Sequence, residues 1–201
     1  MATATRPIPA LAPPPEPRRP RLLLVGTTLA TAGSAALFVG LLSIYTSLRA
    51  EALATAGHWI PDGVTIPLTP PNMAAVTLLM SVVTVQWAVY AIGNDDRPNA
   101  YVALGLTGFL GLAYVNVAVF LFEQMGLSVN DGEVGLLVFT IAGAHIAMAA
   151  AAIVFASVMA FRALGGEYSG RDREGMAAAA IYWDTMVGVY MAIWYVIYIT
   201  K

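Results

Sequence analysis

Cysteine is absent from the 201 residues, and charge is scarce, with Asp, Glu, Lys and Arg making up only 11% of the chain. Without cysteine there is no disulfide, no thiolate metal ligand, no iron–sulfur cluster and no covalent c-type haem attachment. Histidine occurs twice, at His58 and His145, too few for a histidine-built redox centre. No basic stripe with interleaved aromatics is present, so nucleic-acid binding has no support. A soluble domain carries about a quarter charged residues. Here 59% of residues are hydrophobic and the mean hydropathy is +0.73, which makes the chain an integral membrane protein.

What charge there is has been sorted by position. Residues 1–21 are rich in proline (Pro7, Pro9, Pro13, Pro14, Pro15, Pro17, Pro20) and are expected to form a disordered, extended cytoplasmic tail. An apolar run then covers 22–47, longer than the 7 to 15 apolar residues of a signal peptide. It reads as a retained membrane helix at the start of a transmembrane domain over 22–201. Further apolar spans are expected at 73–92, 101–122, 135–161 and 176–200, giving an all-α integral membrane protein with five transmembrane helices. Asn72, after Pro70 and Pro71, is the expected N-cap of the second span.

Five spans place the termini on opposite sides. Arg6, Arg18, Arg19, Arg21, Arg97, Arg162, Arg171 and Arg173 fall on the side of the tail, and only Arg49 and Lys201 fall on the other. The positive-inside bias therefore predicts a cytoplasmic N-terminus and an external C-terminus. Trp194, Tyr195 and Tyr198 then lie at the outer interface, and Trp87, Tyr90 and Tyr101 at the inner one.

The last span contains one ionisable side chain, Asp184, about 12 Å along the helix and so near the bilayer centre. A charge there costs roughly 3 kcal/mol on insertion scales and demands a partner or a function. His145 lies at similar depth, about 15 Å into the fourth span. Two arrangements follow: the two side chains pair, or each is satisfied separately by hydroxyls, backbone carbonyls or lipid headgroups. One Asp and one His do not make a proton path. Asn116, Gln86, Thr84 and Ser81 read as interhelical hydrogen-bonding groups, and Glu123 as a solvated helix end. Two small-residue stripes at four-residue spacing, Gly143/Ala147/Ala151 and Ala103/Thr107/Gly111, read as helix-packing faces.

The order of fragments resembles subunit III of the haem-copper respiratory oxidases, in its short five-helix bacterial form. Residues 34–45 look like the family's S-E-x-L-F-F-x-G-x-F-x-x-Y helix, and Pro71-Asn72 with the helix that follows is similar to its P-x-x-N-T segment. Gly111-Leu112-Ala113-Tyr114-Val115-Asn116 resembles G-Q-A-Y-E-Y, and Gly143-Ala144-His145-Ile146 the second half of H-G-x-H-V. Tyr182-Trp183-Asp184-Thr185-Met186-Val187 matches Y-W-H-F-V-D, and the ending Ile197-Tyr198 fits as well. The departures share a direction. Ala35, Val115, Ala142 and Val187 stand where the family has acidic residues or histidine, and Asp184 stands in place of a histidine.

The resemblance implies an accessory subunit, itself without a cofactor, of a cytochrome c oxidase-type complex in a bacterial plasma membrane. Haem and copper would reside in partner subunits I and II, and phospholipid would occupy a cleft between helices. A larger respiratory supercomplex is compatible with it, and a quinol oxidase or nitric-oxide reductase is an alternative setting. Tyr114, Gly143, Tyr182 and Trp183 would serve helix packing, with His145 and Asp184 the intramembrane polar candidates. A reading from another class is a small proton-coupled transporter with Asp184 and His145 at its midplane site. The spans show neither an inverted repeat nor paired broken helices in its favour.

Overall fold

The computed structural model describes residues 21–200, so the proline-rich tail expected over 1–21 lies, but for Arg21, outside the described residues. Five helices follow: α1 (Leu22–Thr55), α2 (Thr69–Gly93), α3 (Arg97–Gln124), α4 (Gly132–Leu164) and α5 (Glu174–Ile193). A π-helical turn, Trp194–Ile199, continues α5, with Thr200 N donating to Tyr195 O across five residues at 3.0 Å. No strand occurs among the described residues. All five helices are long and apolar enough to cross a bilayer.

Three ends depart from the apolar runs. Helix α1 continues to Thr55 rather than stopping at Ser47. Leu48, Arg49, Ala50, Glu51, Ala52, Leu53 and Ala54 are good helix formers, so the helix outlasts the apolar stretch. Helix α2 starts at Thr69, and Asn72 is inside it rather than capping it. Proline lacks an N–H and fits the first turn, where none is needed, so the helix begins before Pro70. Helix α3 starts at Arg97, where Asp96 accepts from Asn99 N at 3.3 Å, a side-chain cap that lies outside the apolar run.

Helix α5 is the centre of the bundle. It packs on α1, α2 and α4, while α2 and α3 form the most extensive pair and α3 also packs on α4. In its most apolar stretch 56% of α5 is buried, against 17% for α1. Trp183, Met186, Ile193 and Ile197 are all enclosed. Helix α1 lies at the edge and turns Leu29, Leu37 and Val39 outward. Polar contacts tie the ends together: Glu174 accepts from Leu24 N at 3.0 Å, and Tyr101 donates to Ala163 O at 3.1 Å.

Candidate functional site

The polar residues predicted at mid-depth sort into two places on opposite sides of α5. On the inner side, His145 of α4 is buried, 1% exposed. Its Nε2 lies 2.9 Å from Met186 O, and its Nδ1 2.6 Å from the Tyr114 hydroxyl on α3. A carbonyl only accepts, so Nε2 donates and, in the neutral ring, Nδ1 accepts from Tyr114. The imidazole thus ties α3, α4 and α5 together with both nitrogens in use. Phe38, Tyr114 and Tyr190 surround it, their ring centroids 5.9, 5.5 and 5.4 Å away. Tyr190 in turn donates to Pro71 O at 3.1 Å, and Trp194 Nε1 donates to Asn72 Oδ1 at 2.8 Å, which holds the start of α2 against α5.

Asp184 and His145 do not pair. His145 lies against the Met186 side of α5, and Asp184, two residues earlier, is about 200° round the helix. Equal depth along two helices does not imply a shared face. Asp184 instead accepts through Oδ2 from Gln86 Nε2 of α2 at 2.6 Å, while Oδ1 has no partner among the described residues. Gln86 is exposed on the outside of the bundle and Asp184 half-buried.

Trp183, beside it, is fully enclosed and donates from Nε1 to Ser81 Oγ at 2.8 Å. Ser81 passes the bond on to Leu78 O at 2.6 Å. Thr84 and Thr107 join α2 to α3 at 2.7 Å. Ser81, Thr84 and Gln86 therefore link helices as expected. Asn116 is exposed, and no hydrogen bond from it is seen among the described residues. Tyr182 is partly buried and meets Phe155 edge-on, 6.2 Å between centroids.

The two small-residue stripes have different fates. Ala103, Thr107 and Gly111 are buried, and a Cβ at Gly111 would lie 2.7 Å from Trp183 Cη2. Gly143, Ala147 and Ala151 instead face outward, and a Cβ at Gly143 would meet nothing within 4 Å. Four-residue spacing identifies a helix face without saying what that face meets, so the packing role expected for Gly143 within the chain is corrected. Tyr190, Phe38 and the Arg49–Thr200 bond of 2.9 Å were missed.

A cavity of about 10 Å³ adjoins the His145 network, lined by Ala74, Tyr114, Leu121, His145, Tyr190 and Tyr198. It has room for about one water and none for a substrate. His145, with both nitrogens engaged, does not fit as a haem or copper ligand, and among the described residues no three His, Asp or Glu side chains come together. The arrangement fastens helices rather than exposing a reacting group.

Residues 21–201 match the family described as cytochrome c oxidase subunit III. The chain is 30% identical over 159 residues to cytochrome c oxidase subunit 3 of Cyprinus carpio, covering 78% of this chain and 60% of that one. It is 28% identical over 159 residues to the human protein of that name, with the same coverage, and 28% identical over 180 residues to that of Struthio camelus, covering 88% and 69%. The chain thus spans about 60% of the length of the first two of these relatives. With a match that runs from the first described residue through all five helices, the chain belongs to the cytochrome c oxidase subunit III family.

Proposed function

We propose that this chain is a non-catalytic accessory subunit of a haem-copper terminal oxidase, docked against subunits I and II in a bacterial plasma membrane. Haem and copper reside in those partners, where oxygen is reduced to water with electrons from cytochrome c. The chain buttresses the catalytic subunit and holds structural phospholipid between helices, with its N-terminus cytoplasmic and its C-terminus outside. The observation that carries this reading is the family match along the whole bundle. The internal geometry supports it. His145, Tyr114, Trp183, Ser81, Thr84 and Thr107 are spent on joining α2, α3, α4 and α5, while the Gly143/Ala147/Ala151 face of α4 is left outward and smooth. Small outward residues let another helix backbone approach closely where no hydrophobic drive exists between membrane helices.

Deleting the chain from its complex tests the role. The haem optical spectrum is expected to stay intact while activity decays over successive turnovers faster than in the complete complex. Equal durability with and without the chain contradicts the buttressing role.

A further inference from the structure

Asp184 is the one carboxylate within the apolar spans, and its hydrogen bonding is incomplete. Gln86 of α2 donates from Nε2 to Oδ2 at 2.6 Å, while Oδ1 has no partner among the described residues. Gln86 stands on the outside of the bundle, with Asp184 half-buried behind it. Both lie at membrane depth. Asp184 is ten residues, about 15 Å, along α5 from Glu174, and Gln86 is seven residues, about 10 Å, from the Gly93 end of α2. Along α2, Gln86 belongs to an outward row made of Val76, Leu79, Val83, Gln86 and Tyr90, in steps of three and four residues. The four others in that row are 50–70% exposed. Such steps keep a row facing one way, and a single polar member fixes the register of a helix packed along it.

A carboxylate in hydrocarbon is costly, and such groups face the interior of a bundle or a water-filled cavity. Gln86 supplies a donor but no charge. Lipid tails bring neither at that depth. What is outside in this chain must therefore be inside a larger bundle. The chain does not carry the missing charge itself. Among the described residues Arg21, Arg49, Arg97, Arg162 and Arg173 stand at or near helix ends, and His58 and Arg171 in connecting segments. His145 is enclosed with both nitrogens engaged. A second copy of the chain thus has no cation to bring to Asp184. We propose that the row from Val76 to Tyr90 on α2 is the docking face for a transmembrane helix of another subunit, which presents a lysine, arginine or histidine to Gln86 and Asp184. The basic group balances the charge of Asp184, and the Gln86 carboxamide oxygen accepts from it. The apolar members of the row pack along the same helix. This face rests on the chain being a subunit of the oxidase complex, and it lies on a different helix from the Gly143/Ala147/Ala151 stripe.

The test uses the complete complex in its native membrane. Photoreactive p-benzoylphenylalanine is incorporated at Val83, three residues before Gln86, and the cross-linked peptide is identified by mass spectrometry after illumination. The docking face predicts a cross-link to a transmembrane helix of another subunit, within about two turns of a lysine, arginine or histidine. In parallel, Asp184→Asn removes the charge but keeps an oxygen for Gln86 to donate to. The unfolding midpoint of the chain is then expected to be unchanged, while its loss from the complex during detergent exchange is about tenfold faster. A cross-link to a second copy, to lipid alone or to a helix without a basic residue there overturns the proposal. So does retention of Asp184→Asn equal to that of the unaltered chain. Should Asp184→Asn lower the midpoint itself, the cross-link decides alone. The haem spectrum of the preparation separates the two ways of failing. Haem-bearing subunits that copurify without such a cross-link refute the docking face and leave the accessory role standing. A chain recovered without any haem-bearing subunit refutes both.

Discussion

A methyl group placed on Gly111 would collide with the indole of Trp183, the largest fully buried side chain on α5, whereas one placed on Gly143 would point into open space. Gly111→Ala is therefore expected to lower the stability of the chain by about 1–3 kcal/mol through overpacking. Gly143→Ala is expected to leave the chain's own stability unchanged. Thermal unfolding of the two variants in the same detergent checks the contrast, and equal midpoints contradict it. The sequence shows that both glycines belong to four-residue stripes but not which stripe turns inward, because that depends on how α4 is rotated against its neighbours. The same limit explains His145 and Asp184. Their depth could be counted from the helix starts. Their faces could not, since Tyr114 and Met186 O are brought to His145 only by the crossing of three helices.

Among the elements, the apolar spans themselves are legible from hydropathy, whereas the central place of α5 is not, because it follows from how the helices pack. Less legible were the helix ends, which depend on capping and helix propensity rather than on hydropathy. Asp96 and the prolines of α2 set starts that the apolar runs miss. The π-helical turn at Trp194–Ile199 has no sequence signature here, yet it brings Thr200 to Arg49. Tyr190 and Trp194 fasten α5 to the first turn of α2 through Pro71 O and Asn72 Oδ1. Interhelical hydrogen bonds inside membranes average about 0.6 kcal/mol and reach about 1.7 kcal/mol. Replacing both residues by Phe is thus expected to cost about 1–3 kcal/mol. Faster amide hydrogen exchange confined to the start of α2 would locate the loss. Unchanged exchange at 69–75 would contradict the fastening role.

For the whole molecule, the number of helices follows from the length of the apolar runs, and the match across residues 21–201 agrees with the resemblance carried by six short fragments. The orientation rests on arginine placement. The absence of cysteine makes it simple to test, since a single introduced thiol has no background. A cysteine replacing Ser169, in the loop between α4 and α5, is expected to be labelled only from the cytoplasmic side, and one replacing Asn130, between α3 and α4, only from outside. The reverse pattern would invert the topology.

The central claim is that this bundle works by leaning on a redox machine it does not itself contain. Extraction of the tagged chain from its native membrane in mild detergent, followed by an optical difference spectrum and identification of the copurified proteins, tests it most directly. The account predicts haem-bearing oxidase subunits in stoichiometric company with the chain. A chain recovered alone and free of haem-bearing partners, yet carrying out proton-coupled flux in proteoliposomes that Asp184→Asn abolishes, would contradict it.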